Sequence, residues 1–232
     1  VEVVADLPTE LRLIGGLAVL CRVGTPHRAT VDLDAVARHL DDHHLQLSRL
    51  AVTSVGGGQY RFAGDLELDV IEVAPQPAAE LVEQLGGDRA LTDLELNAVA
   101  LTWAHDGATP VDLEVVSEFD RSLLAVARQR LVATHAGLIA TKCSAVPLRA
   151  SSRPEKRASD LYDLARLLVT AGEGLTELDH APKSLRTAIA ERLVAWFVDP
   201  MGRDRTYRET RRFDDPAVDL DHVADVVDEL TG

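Results

Sequence analysis

A chain of 232 residues that is 46% hydrophobic and 4% aromatic holds enough apolar material for one large core or two small ones, and its two cysteines, Cys21 and Cys143, exclude a disulfide scaffold. No run of about eighteen apolar residues occurs and the first residues lack a basic-then-apolar leader, so the sequence predicts an unexported, cytoplasmic protein without a spanning helix. The net charge of −14 argues, taken as a whole, against a polyanionic partner.

In chain order, the first distinctive stretch is Leu13 to Val36, LIGGLAVLCRVGTPHRATVDLDAV. Gly15 and Gly16 predict a tight turn opening a helix over 16–23, where bare backbone N–H groups can approach a phosphate. Val31 to Val36 predicts a strand, on which Asp32 and Asp34 leave the same face while Leu33 points into a core. Two carboxylates so close favour a cation between them, and hard oxygen ligands select Mg²⁺ or Mn²⁺. Either motif alone is commonly an ordinary turn or strand edge. Their succession, with one helix between them, resembles the layout of a nucleotidyltransferase site.

A polar helix or loop is expected over 37–44, where His43 and His44 read as an exposed pair. RLAVTSV (49–55), QYRFAG (59–64) and DLELDVIEV (65–73) read as strands, with Gly56, Gly57 and Gly58 as a hairpin turn. Asp69 is the candidate third carboxylate, either a metal ligand or the group that deprotonates an attacking hydroxyl, the alternative being a solvated outer face. A short helix is predicted over 77–85, and a second hairpin from 96–104 and 111–116 around Asp106-Gly107. Helices are predicted over 122–134, 138–146, 158–170, 184–198 and 217–230. The change from a mixed α+β half to an all-helical half is therefore expected near residue 120, dividing the chain into 1–120 and 121–232.

Residues 138–169 hold a second constellation, LIATKCSAVPLRASSRPEKRASDLYDLARLLV. Lys142 stands on an otherwise apolar helix and must either reach the surface or meet a carboxylate, a phosphate or water. Arg149, Arg153, Lys156 and Arg157 crowd the following loop, and Asp160 and Asp163 open the next helix. Charge is unevenly spread: residues 1–120 carry 7 Lys+Arg against 21 Asp+Glu, residues 121–212 carry 17 against 10, and residues 213–232 carry none against 7. The basic tract 149–157 thus remains a candidate nucleic-acid surface despite the acidic total.

GG followed by T-V-DLD, and later K-x-x-A, a basic loop and D-L-Y-D-L, resemble the AbiEii family of nucleotidyltransferases, including the MenT-like toxins of toxin–antitoxin pairs. The resemblance spans about residues 13–170. It implies a polymerase-β-type nucleotidyltransferase domain with a mixed sheet, followed by helices. It also implies transfer of nucleotides from an NTP to the 3′ acceptor end of tRNA, which blocks translation, and a cognate antitoxin as partner. Carried over, Asp32 and Asp34 correspond to the metal aspartates, Lys142 to the active-site lysine, Asp160 to the aspartate opening D-x-x-D, and Thr30 to a position where the family usually has Ser. A phosphate on Thr30, added by a kinase-type antitoxin, would place about two negative charges where an NTP brings its own. The sequence departs from many nucleotidyltransferases in having Leu17 after the glycine pair, where Ser or Thr is common. Two other readings stand beside this one: transfer to a protein or a small molecule such as an antibiotic, and an inert nucleotidyltransferase fold used as a binding module.

Overall fold

The computed structural model describes residues 2–25, 32–117, 119–120, 122–149, 153–213, 215 and 218–232. Its first part is a mixed sheet wrapped by helices. In chain order the elements are α1 (Glu2–Asp6), β1 (Arg12–Ile14), α2 (Gly15–Val23), β2 (Asp32–Ala37), α3 (Leu40–Leu50), β3 (Thr53–Gly56), β4 (Gln59–Arg61) and β5 (Glu67–Glu72). They are followed by α4 (Ala78–Gln84), α5 (Asp93–Asp106), β6 (Thr109–Val116) and β7 (Leu123–Val132). Helices α6 (His135–Arg149), α7 (Pro154–Thr170), α8 (Lys183–Leu193), α9 (Pro200–Thr210) and α10 (Leu220–Thr231) complete the chain.

The seven strands lie in the order β3-β4-β5-β2-β1-β7-β6. β2 runs antiparallel to β1 and parallel to β5, and β1 runs parallel to β7, so the sheet is mixed. The α+β class with a helical C-terminal part is the observed architecture. The glycine triplet turns β3 into β4 with Gly56, Gly57 and Gly58 all at positive φ, a conformation that suits residues without a Cβ.

Two segments depart from the sequence reading. Residues 96–104, expected as a strand, belong to α5. That helix starts at a reciprocal cap, in which the Thr92 hydroxyl accepts from the Glu95 N–H and the Glu95 carboxylate accepts from the Thr92 N–H. Residues 122–134, expected as a helix, hold β7, which pairs with β6 on one side and β1 on the other. The sheet therefore runs on to Val132, and the change of character expected near residue 120 falls between β7 and α6. β7 hides its two-residue alternation behind a bulge. Register shifts between Val111 and Leu113, Gln129 adopts φ 51°, and Asp112 Oδ1 accepts from the Gln129 backbone N–H at 2.7 Å. Among the buried residues of β7, Ala127 precedes the bulge and Arg130 and Val132 follow it, so the buried parity changes across it.

The core is continuous from the sheet into the helices. Leu13, Leu33, Ala35 and Leu68 from the strands belong to one buried cluster with Leu138 and Ile139 of α6 and Leu161, Leu164 and Leu168 of α7. α7 is the central helix of the second part, packing against α2, α6, α9 and α10. Among the described residues no helix is long and apolar enough to cross a membrane.

Candidate active site

The glycine turn and the aspartate strand meet because β1 and β2 are neighbours. Ile14 is the register partner of Asp34, so the chain leaves β1 into Gly15 directly beside the Asp34 side chain. Gly15 sits at φ +70°, and a Cβ placed on it would stand 2.0 Å from Asp34 Oδ2. Glycine is required there twice over, by the backbone conformation and by the carboxylate lying against it. α2 is held in place at its other end by Arg22, whose guanidinium donates to the Ala133 carbonyl at 2.8 Å, the Val132 carbonyl at 2.7 Å and Thr109 Oγ1 at 2.6 Å.

Asp32 and Asp34 both line a cleft of about 340 Å³, shared with Gly15, Gly16, Lys142, Arg149, Lys156 and Asp160. The two motifs, more than a hundred residues apart in sequence, thus face one space. Burial pushes the Asp34 carboxyl above its ordinary value; Lys142 opposes this and neighbouring Asp69 adds to it. Asp69 is the register partner of Asp34 on β5 and so shares its face of the sheet, but it is not among the residues that line the cleft. Among the described residues, no group of three His, Cys, Asp or Glu side chains is arranged to hold a metal ion.

Lys142 neither reaches bulk solvent nor stands alone. Its Nζ lies 2.6 Å from Asp160 Oδ1 and 2.8 Å from Asp163 Oδ2, and Asp160 Oδ2 is in turn 3.0 Å from Arg149 Nη1. Burial works against the charged lysine, but the two carboxylates outweigh it and hold the ammonium above its ordinary pKa. Lys142 is therefore a fixed positive charge in the wall of the cleft. Lys156, from the first turn of α7, approaches from the rim with Nζ 3.2 Å from Asp32 Oδ2.

The four basic residues expected to form one surface are split. Arg149 and Lys156 line the cleft, and Arg153 is exposed immediately before α7. Arg157 corrects the expectation: it is only 6% exposed, with Nε 2.8 Å from Glu209 Oε2. The reason lies in helix periodicity, since Arg157 shares the inward face of α7 with Leu161, Leu164 and Leu168. Thr30 lies outside the described residues. Asp163, Asn97, Thr141 and Ser159 also meet the site, the first through Lys142 and the others as cleft lining. Only Asp163 carried a sequence signal, from its three-residue spacing after Asp160.

A family model described as nucleotidyl transferase AbiEii toxin, Type IV TA system, matches residues 3–225. The chain belongs to the AbiEii nucleotidyltransferase toxin family. Membership makes the cleft the candidate site of a nucleotide-transfer enzyme and implies an NTP substrate and an antitoxin partner. No curated protein matched the chain. Among solved structures, an antigenic nucleotidyltransferase-like protein from Paracoccidioides brasiliensis is similar at 17% identity over 77% of this chain and 83% of that one, with a TM-score of 0.38. Within the AbiEii match lie both constellations, the glycine turn with its aspartates and the Lys142 cluster.

Proposed function

We propose that this AbiEii-family chain transfers nucleotides from an NTP to the 3′ acceptor end of tRNA and so blocks translation. The observation that supports it most is the Asp34 carboxylate lying against Gly15 at the opening of α2, with Lys142 in the same cleft. Carboxylates that would gather a cation thus stand beside donors that would gather phosphates.

The residues fit a divalent cation. Mg²⁺ is ordinarily held by one or two carboxylates together with substrate phosphates and water. Asp32 and Asp34 offer two hard donors, and Asp34 is a half-buried carboxylate whose charged form is disfavoured by burial and would be favoured by a bound cation. A bound Mg²⁺ or Mn²⁺ would neutralise phosphate charge during the displacement.

The chain's own groups supply the rest. The first turn of α2 presents backbone N–H groups and the positive end of its dipole to a triphosphate. Lys142, fixed by Asp160 and Asp163, offers a point charge that needs no reorganisation when negative charge builds up on phosphate oxygens. Arg149 and Lys156 close the basic side, and Lys156 exchanges its contact with Asp32 for a phosphate when nucleotide enters. The acceptor 3′-OH attacks the α-phosphorus, its proton passes to a carboxylate on the Asp34–Asp69 face of the sheet, and pyrophosphate leaves.

The test is incubation with each of four α-phosphate-labelled NTPs, Mg²⁺ and total RNA. Label at the 3′ end of tRNA is the expected result. Label in protein or in a small molecule would move the acceptor, and no label with any acceptor would overturn transfer itself.

A further inference from the structure

The cleft accounts for the terminal nucleotide of an acceptor but not for the remainder of a polyanion. A second arginine cluster lies next to it, on a helix that no motif marks. Residues 200–213 contain five arginines, no lysine and two acidic residues. Arg205, Arg208 and Arg212 recur at i, i+3 and i+7, so they share a stripe along α9 and the turn that follows it. Thr206 and Thr210, at 1% and 8% exposure, take the inward face. The side chains of Arg205 and Arg208 are 58% and 64% exposed.

This stripe is continuous with the cleft. Arg212 Nη2 donates to the carbonyl of Glu155 at 2.7 Å, and the next residue, Lys156, reaches Asp32. Positive charge therefore runs from the metal-site aspartate through Lys156 to Arg212, Arg208 and Arg205. The carboxylates along it do not cancel it. Asp204 pairs with Arg208 at 2.8 Å in an exposed i,i+4 contact, the kind that is worth little in water and yields to a phosphate. Glu209 meets Arg205 at 2.7 Å, but its other oxygen is committed to buried Arg157.

Resting on the proposed transfer to tRNA, we propose that this outward stripe of α9 carries the phosphate backbone of the acceptor RNA away from the cleft. Steps of three and four residues advance the guanidinium groups by roughly 4 to 6 Å, a spacing suited to a strand with one charge every few ångströms. Use of arginine alone fits phosphate, which the planar guanidinium can grip with two N–H groups.

The experiment compares the wild type with an Arg205→Gln/Arg208→Gln variant on full-length tRNA and on a 3′-terminal dinucleotide, whose single internucleotide phosphate offers no backbone to follow the stripe. Affinity for tRNA is measured against salt. The variant is expected to lose roughly 1.4 to 1.8 from the slope of log affinity against log salt, with a raised KM for tRNA and unchanged transfer to the short acceptor. An unchanged slope, while the wild type modifies tRNA, overturns the stripe alone. Equal loss on both acceptors overturns it too, since the substitutions then act on chemistry or folding. A variant that keeps tRNA but fails to bind an acidic protein partner assigns the stripe to that partner instead. Absence of transfer to any RNA by the wild type overturns the parent reading, and the stripe with it.

Discussion

Gly15 is the residue on which backbone and carboxylate make the same demand. With φ at +70° and a would-be Cβ 2.0 Å from Asp34 Oδ2, Gly15→Ala must shift either the turn or the aspartate. The expected outcome is a loss of stability of about 1 to 3 kcal/mol in thermal or urea melts, with transfer reduced more than that loss explains. A folded variant with full activity would remove Asp34's placement from the account. Lys142 holds two nearly buried carboxylates, so Lys142→Ala leaves Asp160 and Asp163 without their ammonium and should cost about 3 to 5 kcal/mol. Adding Asp160→Asn and Asp163→Asn to that variant should recover part of the stability and none of the activity. Recovery of transfer would make Lys142 merely structural. The glycine pair, the aspartates and Lys142 were legible because each is a residue type out of keeping with its surroundings. Arg157 was misread for the opposite reason: a basic run in sequence says nothing of phase, and the leucines four and seven residues later set the inward face.

At the scale of elements, the misread segments were those whose periodicity is interrupted or ambiguous. Residues 96–104 are apolar almost throughout, which a buried helix and a buried strand share; the deciding signal was the T-x-x-E spacing of Thr92 and Glu95. β7 escaped because its bulge shifts the alternation midway, leaving apolar spacings that imitate a helix. Asp112 supports that bulge by accepting from the Gln129 backbone at 2.7 Å and its side-chain amide at 3.2 Å, with Arg128 Nη1 3.2 Å away. Asp112→Ala should therefore lower stability by about 1 kcal/mol and raise hydrogen exchange around 127–130 without touching transfer. Unchanged exchange there would show that the bulge is held by the strand pairing alone.

At the scale of the molecule, the acidic first part brings Asp32 and Asp34, a basic tract within the otherwise balanced second part brings Lys142, Arg149 and Lys156, and the cleft is where they meet. The helical segment cannot be detached from the cleft, because Lys142, Arg149, Lys156 and Asp160 come from α6 and α7 while the glycine turn and Asp32 and Asp34 come from the sheet side. That division of labour was visible in the charge map, whereas the seating of α7 in the core became visible only with the packing. The direct test of the cleft as the transfer site is pyrophosphate release with tRNA, Mg²⁺ and NTP, measured for the wild type and for Asp34→Asn after melting curves show that both are folded. One pyrophosphate per nucleotide added is expected from the wild type, with a fall of at least about a hundredfold in the variant. Equal rates from the two proteins would contradict the cleft as the transfer site.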